Sequence, residues 1–140
     1  MGTGNPRAGT PATVTGNVIR DSSMGLATQL IDPIVRLNDS VWRRNSVRLA
    51  LVEMLRLRNA RAVNCVFCKA ARYDVARQDG LTEDKVAQID DGFADSALSE
   101  PEKLVLGFAD VYLRGPGHFD PQLIARLREH FSAEQICHMA

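Results

Sequence analysis

The sequence predicts an all-α fold, and three observations carry that expectation. Apolar residues recur at spacings of three and four through most of the chain, helix-start signatures stand ahead of those stripes, and no β-type alternation of useful length appears. No internal repeat is evident. The 140 residues are enough for one domain with its own core, without disulfide or metal staples, and too few for two comfortable ones.

Residues 1–17 are rich in Gly, Thr, Pro and Asn with scarcely an apolar anchor, so they cannot offset the entropy of ordering. They read as a flexible leader to a helical domain over residues 18–140. From Leu26 to about Arg43, the positions Leu26, Leu30, Ile34, Leu37 and Val41 share a helical face. Pro33 marks a start or a kink after Asp32, so one helix or two short ones satisfy the pattern. Val47, Leu51, Met54, Leu55 and Leu57 form a broad apolar stripe with arginines elsewhere, predicting a helix over residues 46–63 that Asn64 interrupts or caps. A further helix is expected from Cys65 to about Gln78, stopped by Gly80.

Thr82, with Glu83 and Asp84 in the first turn, opens a helix ending near Gly92. Ser99-x-x-Glu102 is a capping-box pattern ahead of Leu104, Val105, Phe108, Val111 and Tyr112, and Gly115-Pro116-Gly117 ends that helix. Asp120-Pro121 places an N-cap before a proline and introduces Leu123, Ile124, Leu127 and Phe131. Ser132-x-x-Gln135 starts one more helix, which has a turn or two before Ala140 and reads as cut short.

Basic and acidic residues balance at 17 each, so no global field draws the chain to nucleic acid or to an anionic membrane. The balance is uneven along the chain. Residues 43–77 carry Arg43, Arg44, Arg48, Arg56, Arg58, Arg61, Lys69, Arg72 and Arg77 against Glu53 and Asp74, whereas Asp79 to Glu102 is mainly acidic. Two readings follow: complementary faces within the fold or between subunits, or a basic rim around an anionic substrate. No apolar run approaches a membrane span and the N-terminus lacks the apolar core of a secretory signal, which makes the cytoplasm the expected compartment.

Three cysteines argue against a secreted disulfide framework and leave Cys137 over if Cys65 and Cys68 act together. On one helix, Cys65, Cys68 and Arg72 share a face, the spacing that suits a reversible disulfide. A first-turn position and the nearby Lys69 and Arg72 favour thiolate over thiol. Two other readings stand beside this one, one bland and one chemical. Both thiols can be small buried hydrophobes, or Cys65, Cys68, Cys137 and His138 can hold zinc, although the adjacent Cys137 and His138 diverge by about 100° on a helix. His118 and His130 fall in or beside turns. Glu53 is an acid in an otherwise apolar and basic helix; it can pair with Arg56 or Arg58, or face the thiols, where Arg72 would tune it for proton transfer.

The run Leu51-Val52-Glu53-Met54-Leu55-Arg56-Leu57-Arg58-Asn59-Ala60, with Asn64-Cys65-Val66-Phe67-Cys68 and Gly80-Leu81, resembles the alkylhydroperoxidase D-like branch of the carboxymuconolactone decarboxylase family. The family pattern is a glutamate twelve residues before a Cys-x-x-Cys and a histidine four residues after it. Glu53, Cys65 and Cys68 match; the histidine position is Arg72. The likeness continues through Ser99 to Leu104 and Phe131 to Ile136, covering roughly residues 26–140.

The resemblance implies an all-helical fold with a long final helix, and a homo-oligomer, trimer or hexamer. It also implies a thiol peroxidase in which Cys68 attacks a hydroperoxide and Cys65 resolves the product to a disulfide that a dithiol reductant reopens. Disulfide exchange is the related chemistry. No cofactor and no metal are called for. Glu53 and the histidine would relay protons, and Arg72, a permanent cation, stabilises a thiolate or pairs with Glu53 but does not shuttle protons. Lactone decarboxylation and a non-catalytic helical oligomer are the alternatives from the same family.

Overall fold

The computed structural model describes residues 9–17 and 19–140, and residues 1–8 of the expected leader lie outside that range. All regular elements among the described residues are helical; none is a strand. The chain forms two compact units, Met1–Arg44 and Asn45–Ala140.

In the first unit, Asp21 organises the segment before it. Its carboxylate accepts the Thr15 N–H and hydroxyl at 2.8 and 2.7 Å and the Gly16 N–H at 2.8 Å. These bonds, the Thr15 N–H foremost, hold the Asp21 carboxyl below its ordinary value. Ser22 then caps a 3₁₀ turn at Ser23–Leu26, followed by helix α1 at Ile31–Arg43. Pro33 sits in the first turn of α1, where its missing N–H costs no intrahelical bond.

The second unit is built on α2 (Leu49–Ala62) and the longer α6 (Glu100–Arg114), which pack on each other. Short helices α3 (Val66–Ala70) and α4 (Asp74–Gln78) pack on α2, and α7 (Pro121–His130) packs on α6. Between them lies α5 (Glu83–Ala87), and α8 (Ala133–Met139) comes last. Met54, Leu57, Ile89, Val105, Leu106 and Leu127 are fully buried. Each such side chain contributes about 1.5–3 kcal/mol relative to exposure. No helix among the described residues is long and apolar enough to cross a membrane.

Four of the expected helix starts form where the local chemistry placed them. Thr82 accepts from the Lys85 N–H, Asp120 from the Gln122 N–H, and Ser99 and Ser132 each complete a capping box. Gly80, at φ 97°, ends α4 in a Schellman motif, with the Leu81 N–H on the Ala76 carbonyl at 3.0 Å and the Gly80 N–H on Arg77 at 3.0 Å. At the end of the chain, α8 clamps the approach to α2: Gln135 Nε2 donates to the Ser46 carbonyl at 3.0 Å, and His138 Nδ1 meets the Ser46 N–H at 3.1 Å.

Three helix expectations need correction. The helix expected over residues 46–63 starts at Leu49, because Ser46 is held by α8 and the Val47 N–H is taken by the Asn45 side chain at 2.8 Å. Arg58 of this helix is buried on the Asp110 carboxylate. The helix from Thr82 stops at Ala87 rather than near Gly92, because the Arg61 guanidinium takes the carbonyls of Val86 and Ile89. Burial of that guanidinium lowers its pKa from the ordinary value. The single helix expected over residues 65–78 is broken into α3 and α4 by extended backbone at Ala71 (φ −63°, ψ 142°).

The uneven charge along the chain resolves within the fold. Arg48 pairs with Asp79, Arg58 with Asp91, and Arg72 and Arg77 with Glu83, joining the basic stretch to the acidic one.

Candidate dithiol site

The turn that carries the thiols is set by how α2 ends. Asn64 adopts φ 51°, the left-handed region that asparagine tolerates better than most residues. With Asn64 there, the Cys65 N–H reaches back to the Ala60 carbonyl at 2.9 Å and the Asn64 N–H to Arg61 at 3.0 Å, a second Schellman motif. The Asn64 side chain also accepts from Lys69 Nζ at 2.7 Å, tying the turn to the helix that follows.

Cys65 is therefore the N-cap of α3, and its sulfur accepts the Cys68 N–H at 3.2 Å. That contact brings the sulfurs together: Cys65 and Cys68 form a disulfide, with S–S 2.19 Å and a Cα separation of 5.3 Å. Both cysteines are half-buried, whereas Val66 and Phe67 between them are 76% and 59% exposed. Cys137 is free and exposed.

Glu53 is fully buried, and its partner is Arg56. Arg56 Nε and Nη2 donate to the two carboxylate oxygens at 2.7 Å each. The rest of that guanidinium is spent on the thiol turn: Nη1 donates to the Cys68 carbonyl at 2.6 Å and Nη2 to Ala71 at 2.9 Å. The Tyr73 ring lies 5.6 Å from the guanidinium carbon.

Arg72 is not brought to Glu53. Its Nη1 donates to the carbonyls of Lys69 and Ala71 at 2.6 and 2.8 Å, and its Nε reaches Glu83 at 3.3 Å. The break in the expected helix follows. In a continuous helix the Cys68 and Lys69 carbonyls would accept the N–H groups of Arg72 and Tyr73; here two arginine side chains donate to them instead.

The residue that sequence reasoning passed over is Arg56, which appeared there only as one possible partner for Glu53. Its spacing three residues after Glu53 was legible; its reach to the thiol turn was not, because that depends on α3 folding back on α2. Arg58 binds Asp110 at 2.6 and 2.9 Å and lies 5.3 Å from the Phe93 ring. That carboxylate, foremost among its partners, pushes the Arg58 pKa up against the opposing effect of burial.

The four residues weighed as zinc ligands are not gathered. His138 is engaged by Ser46, and among the described residues no three His, Cys, Asp or Glu side chains come together as a metal site. His118 leans on the Gly115 carbonyl at 3.3 Å and His130 is exposed. An open cleft of about 410 Å³, lined by Arg58, Ala62, Val63, Asp110, Leu113 and Arg114, lies at the end of α2 ahead of Asn64.

What this arrangement offers chemically is a two-electron couple at the surface, backed by a buried acid–guanidinium pair. Against protein-family models, curated proteins and solved structures, the chain finds no match.

Proposed function

We propose that this chain is a thiol-dependent oxidoreductase of the alkylhydroperoxidase D-like kind, cycling Cys65 and Cys68 between dithiol and disulfide. The observation that carries the reading is the Cys65–Cys68 pair at bonding distance in a half-buried turn open to solvent. The resemblance of Glu53, Cys65 and Cys68 in type and spacing to that branch of the carboxymuconolactone decarboxylase family supports it further.

In the forward half-cycle, the Cys68 thiolate attacks the distal oxygen of a hydroperoxide. The O–O bond breaks, Cys68 becomes a sulfenic acid, and the alcohol leaves after taking a proton. Cys65 then attacks the sulfenic sulfur, water departs, and the disulfide forms. A dithiol reductant supplies two electrons and two protons to reopen it, becoming a disulfide itself.

With Arg72 committed to Glu83 and to backbone carbonyls, and Glu53 committed to Arg56, solvent protonates the leaving oxygen in this reading. General acid catalysis typically contributes about 10²–10⁴-fold, so peroxide turnover is slow for such a site. Exchange with a disulfide substrate needs no proton relay of that kind, and the exposed Val66 and Phe67 favour contact with a larger partner as a second substrate class. A homo-oligomer, trimer or hexamer, belongs to the same reading.

The test is rapid-mixing kinetics on the reduced chain. Hydroperoxide should convert Cys65 and Cys68 to the intrachain disulfide, and Cys68→Ser should abolish it. Two thiols that stay free under excess peroxide and under disulfide oxidants alike mean a non-catalytic helical protein.

A further inference from the structure

We infer that Arg56 is a positioning residue for the thiol couple: it holds the reduced turn in the conformation that closes to the disulfide. The inference rests on the reading that Cys65 and Cys68 cycle, and concerns what sets the equilibrium of that cycle.

Four of the five N–H groups of a guanidinium are accounted for at Arg56. Two anchor it on the buried Glu53, and two reach the carbonyls of Cys68 and Ala71. The anchor is rigid, because Glu53 sits wholly inside the unit on the central helix. The carbonyls at the other end belong to a chain segment whose own sequence favours something else. Residues 65–78 carry a helical pattern, yet the backbone is extended at Ala71 and the helix is split there.

When the disulfide is reduced, the covalent constraint on this segment is gone. The packing of α3 on α2 and the side-chain hydrogen bonds to the Cys68, Lys69 and Ala71 carbonyls then oppose fraying of the five-residue helix that carries Cys68. A frayed turn is a set of reduced conformations from which the sulfurs must be reassembled before they can bond. Arg56 removes those conformations from the reduced state. The disulfide form needs the restraint less, since the bond itself holds Cys65 to Cys68 at a Cα separation of 5.3 Å. Losing Arg56 therefore stabilises the dithiol relative to the disulfide, and the reduction potential becomes less negative.

The experiment equilibrates the full chain in glutathione or dithiothreitol redox buffers, quenches by alkylation, and reads the oxidation state of the peptide that carries both cysteines. Arg56→Lys keeps a cation for Glu53, but one ammonium does not span a carboxylate and two carbonyls. Arg56→Met combined with Glu53→Leu removes the whole anchor without stranding a buried charge. Both should lower the disulfide-forming equilibrium constant about tenfold, which is a shift of about 30 mV for two electrons. Arg58→Met, on the same helix but touching none of these carbonyls, should leave it at the wild-type value.

Folded Arg56→Lys with the wild-type equilibrium overturns the inference and leaves Arg56 a structural residue. An Arg58→Met variant that shifts the equilibrium as far overturns it too, since helix stability alone then explains the effect. A wild-type pair that does not reoxidise in any of these buffers overturns the cycling reading itself. A chain inert to peroxide whose equilibrium still moves with Arg56 sustains the positioning role and removes only the peroxidase activity.

Discussion

Arg56 and Arg58 stand two residues apart on α2, and each turns a guanidinium onto a carboxylate, but the two clusters hold different things. Arg58 binds Asp110 of α6, 52 residues away, and so fastens one central helix to the other. Arg56 binds Glu53 of its own helix and spends its remaining donors on the backbone of the thiol turn. One cluster is a clamp between rigid elements; the other is a rigid anchor for an irregular one. The same residue type thus contributes global stability at one position and local geometry at the other.

The comparison breaks most directly at Arg58. Arg58→Met leaves Asp110 in a mostly buried site without its partner, the side chains being 10% and 18% exposed in the pair. Unfolding in urea should register a loss of about 3–4 kcal/mol, while the thiol equilibrium stays where it is. Equal effects of Arg56→Lys and Arg58→Met on both readouts would erase the distinction between the clusters.

A smaller effect separates the two Schellman ends. Asn64→Ala and Gly80→Ala each force an ordinary residue into the left-handed region and should cost about 1–2 kcal/mol. The Gly80 position has room for a methyl group, with nothing nearer than Arg48 Nη2 at 3.7 Å, so its cost is conformational. Only the Asn64 substitution should also move the thiol equilibrium, because only that turn carries the cysteines. Denaturation curves and redox titrations of both variants check the pair.

Smaller still is the pH dependence of the α6 start. Burial tends to raise the Glu102 pKa, but hydrogen bonds from Lys85 and Ser99 outweigh it and hold the carboxyl below its ordinary value of 4.5. A carboxyl lowered on folding contributes stability that is complete above the unfolded value and is lost as pH falls through the folded one. Stability should therefore decline below about pH 4.5. Glu102→Gln should flatten that decline and cost about 1 kcal/mol at neutral pH. Thermal melts between pH 3 and 7 on both forms check it.

The smallest effect on stability is expected at Phe67, which is 59% exposed. Phe67→Ser should change unfolding by no more than about 0.5 kcal/mol. If the apolar residues beside the thiols are covered by another copy of the chain, sedimentation should show weaker association in the same variant.

Much of the helical framework was legible in the sequence. Ser99, Asp120 and Ser132 announce their helices, and Asn64 and Gly80 announce where two others end. That Cys65 and Cys68 suit a disulfide was legible from their spacing, with inert buried thiols and a zinc site as the other readings. The partner of Glu53 was not: Arg56, Arg58 and Arg72 were all within reach on paper. Nor was the split between α3 and α4, since nothing in residues 65–78 forbids one continuous helix.

Caps, left-handed ends, apolar stripes and two thiols three residues apart are all decided within about one helical turn. Their free energies come from contacts between near neighbours, so reading the neighbours is sufficient. Which cation takes which carboxylate, and where a backbone carbonyl finds a side chain instead of the next helical N–H, depends on segments that meet only in the folded chain. Arg56 reaches Cys68 and Ala71 because α3 packs against α2, and Arg72 goes to Glu83 because the chain turns back after Gly80. A guanidinium has more donors than one carboxylate can use, and the surplus goes to whatever acceptors folding brings within about 3 Å.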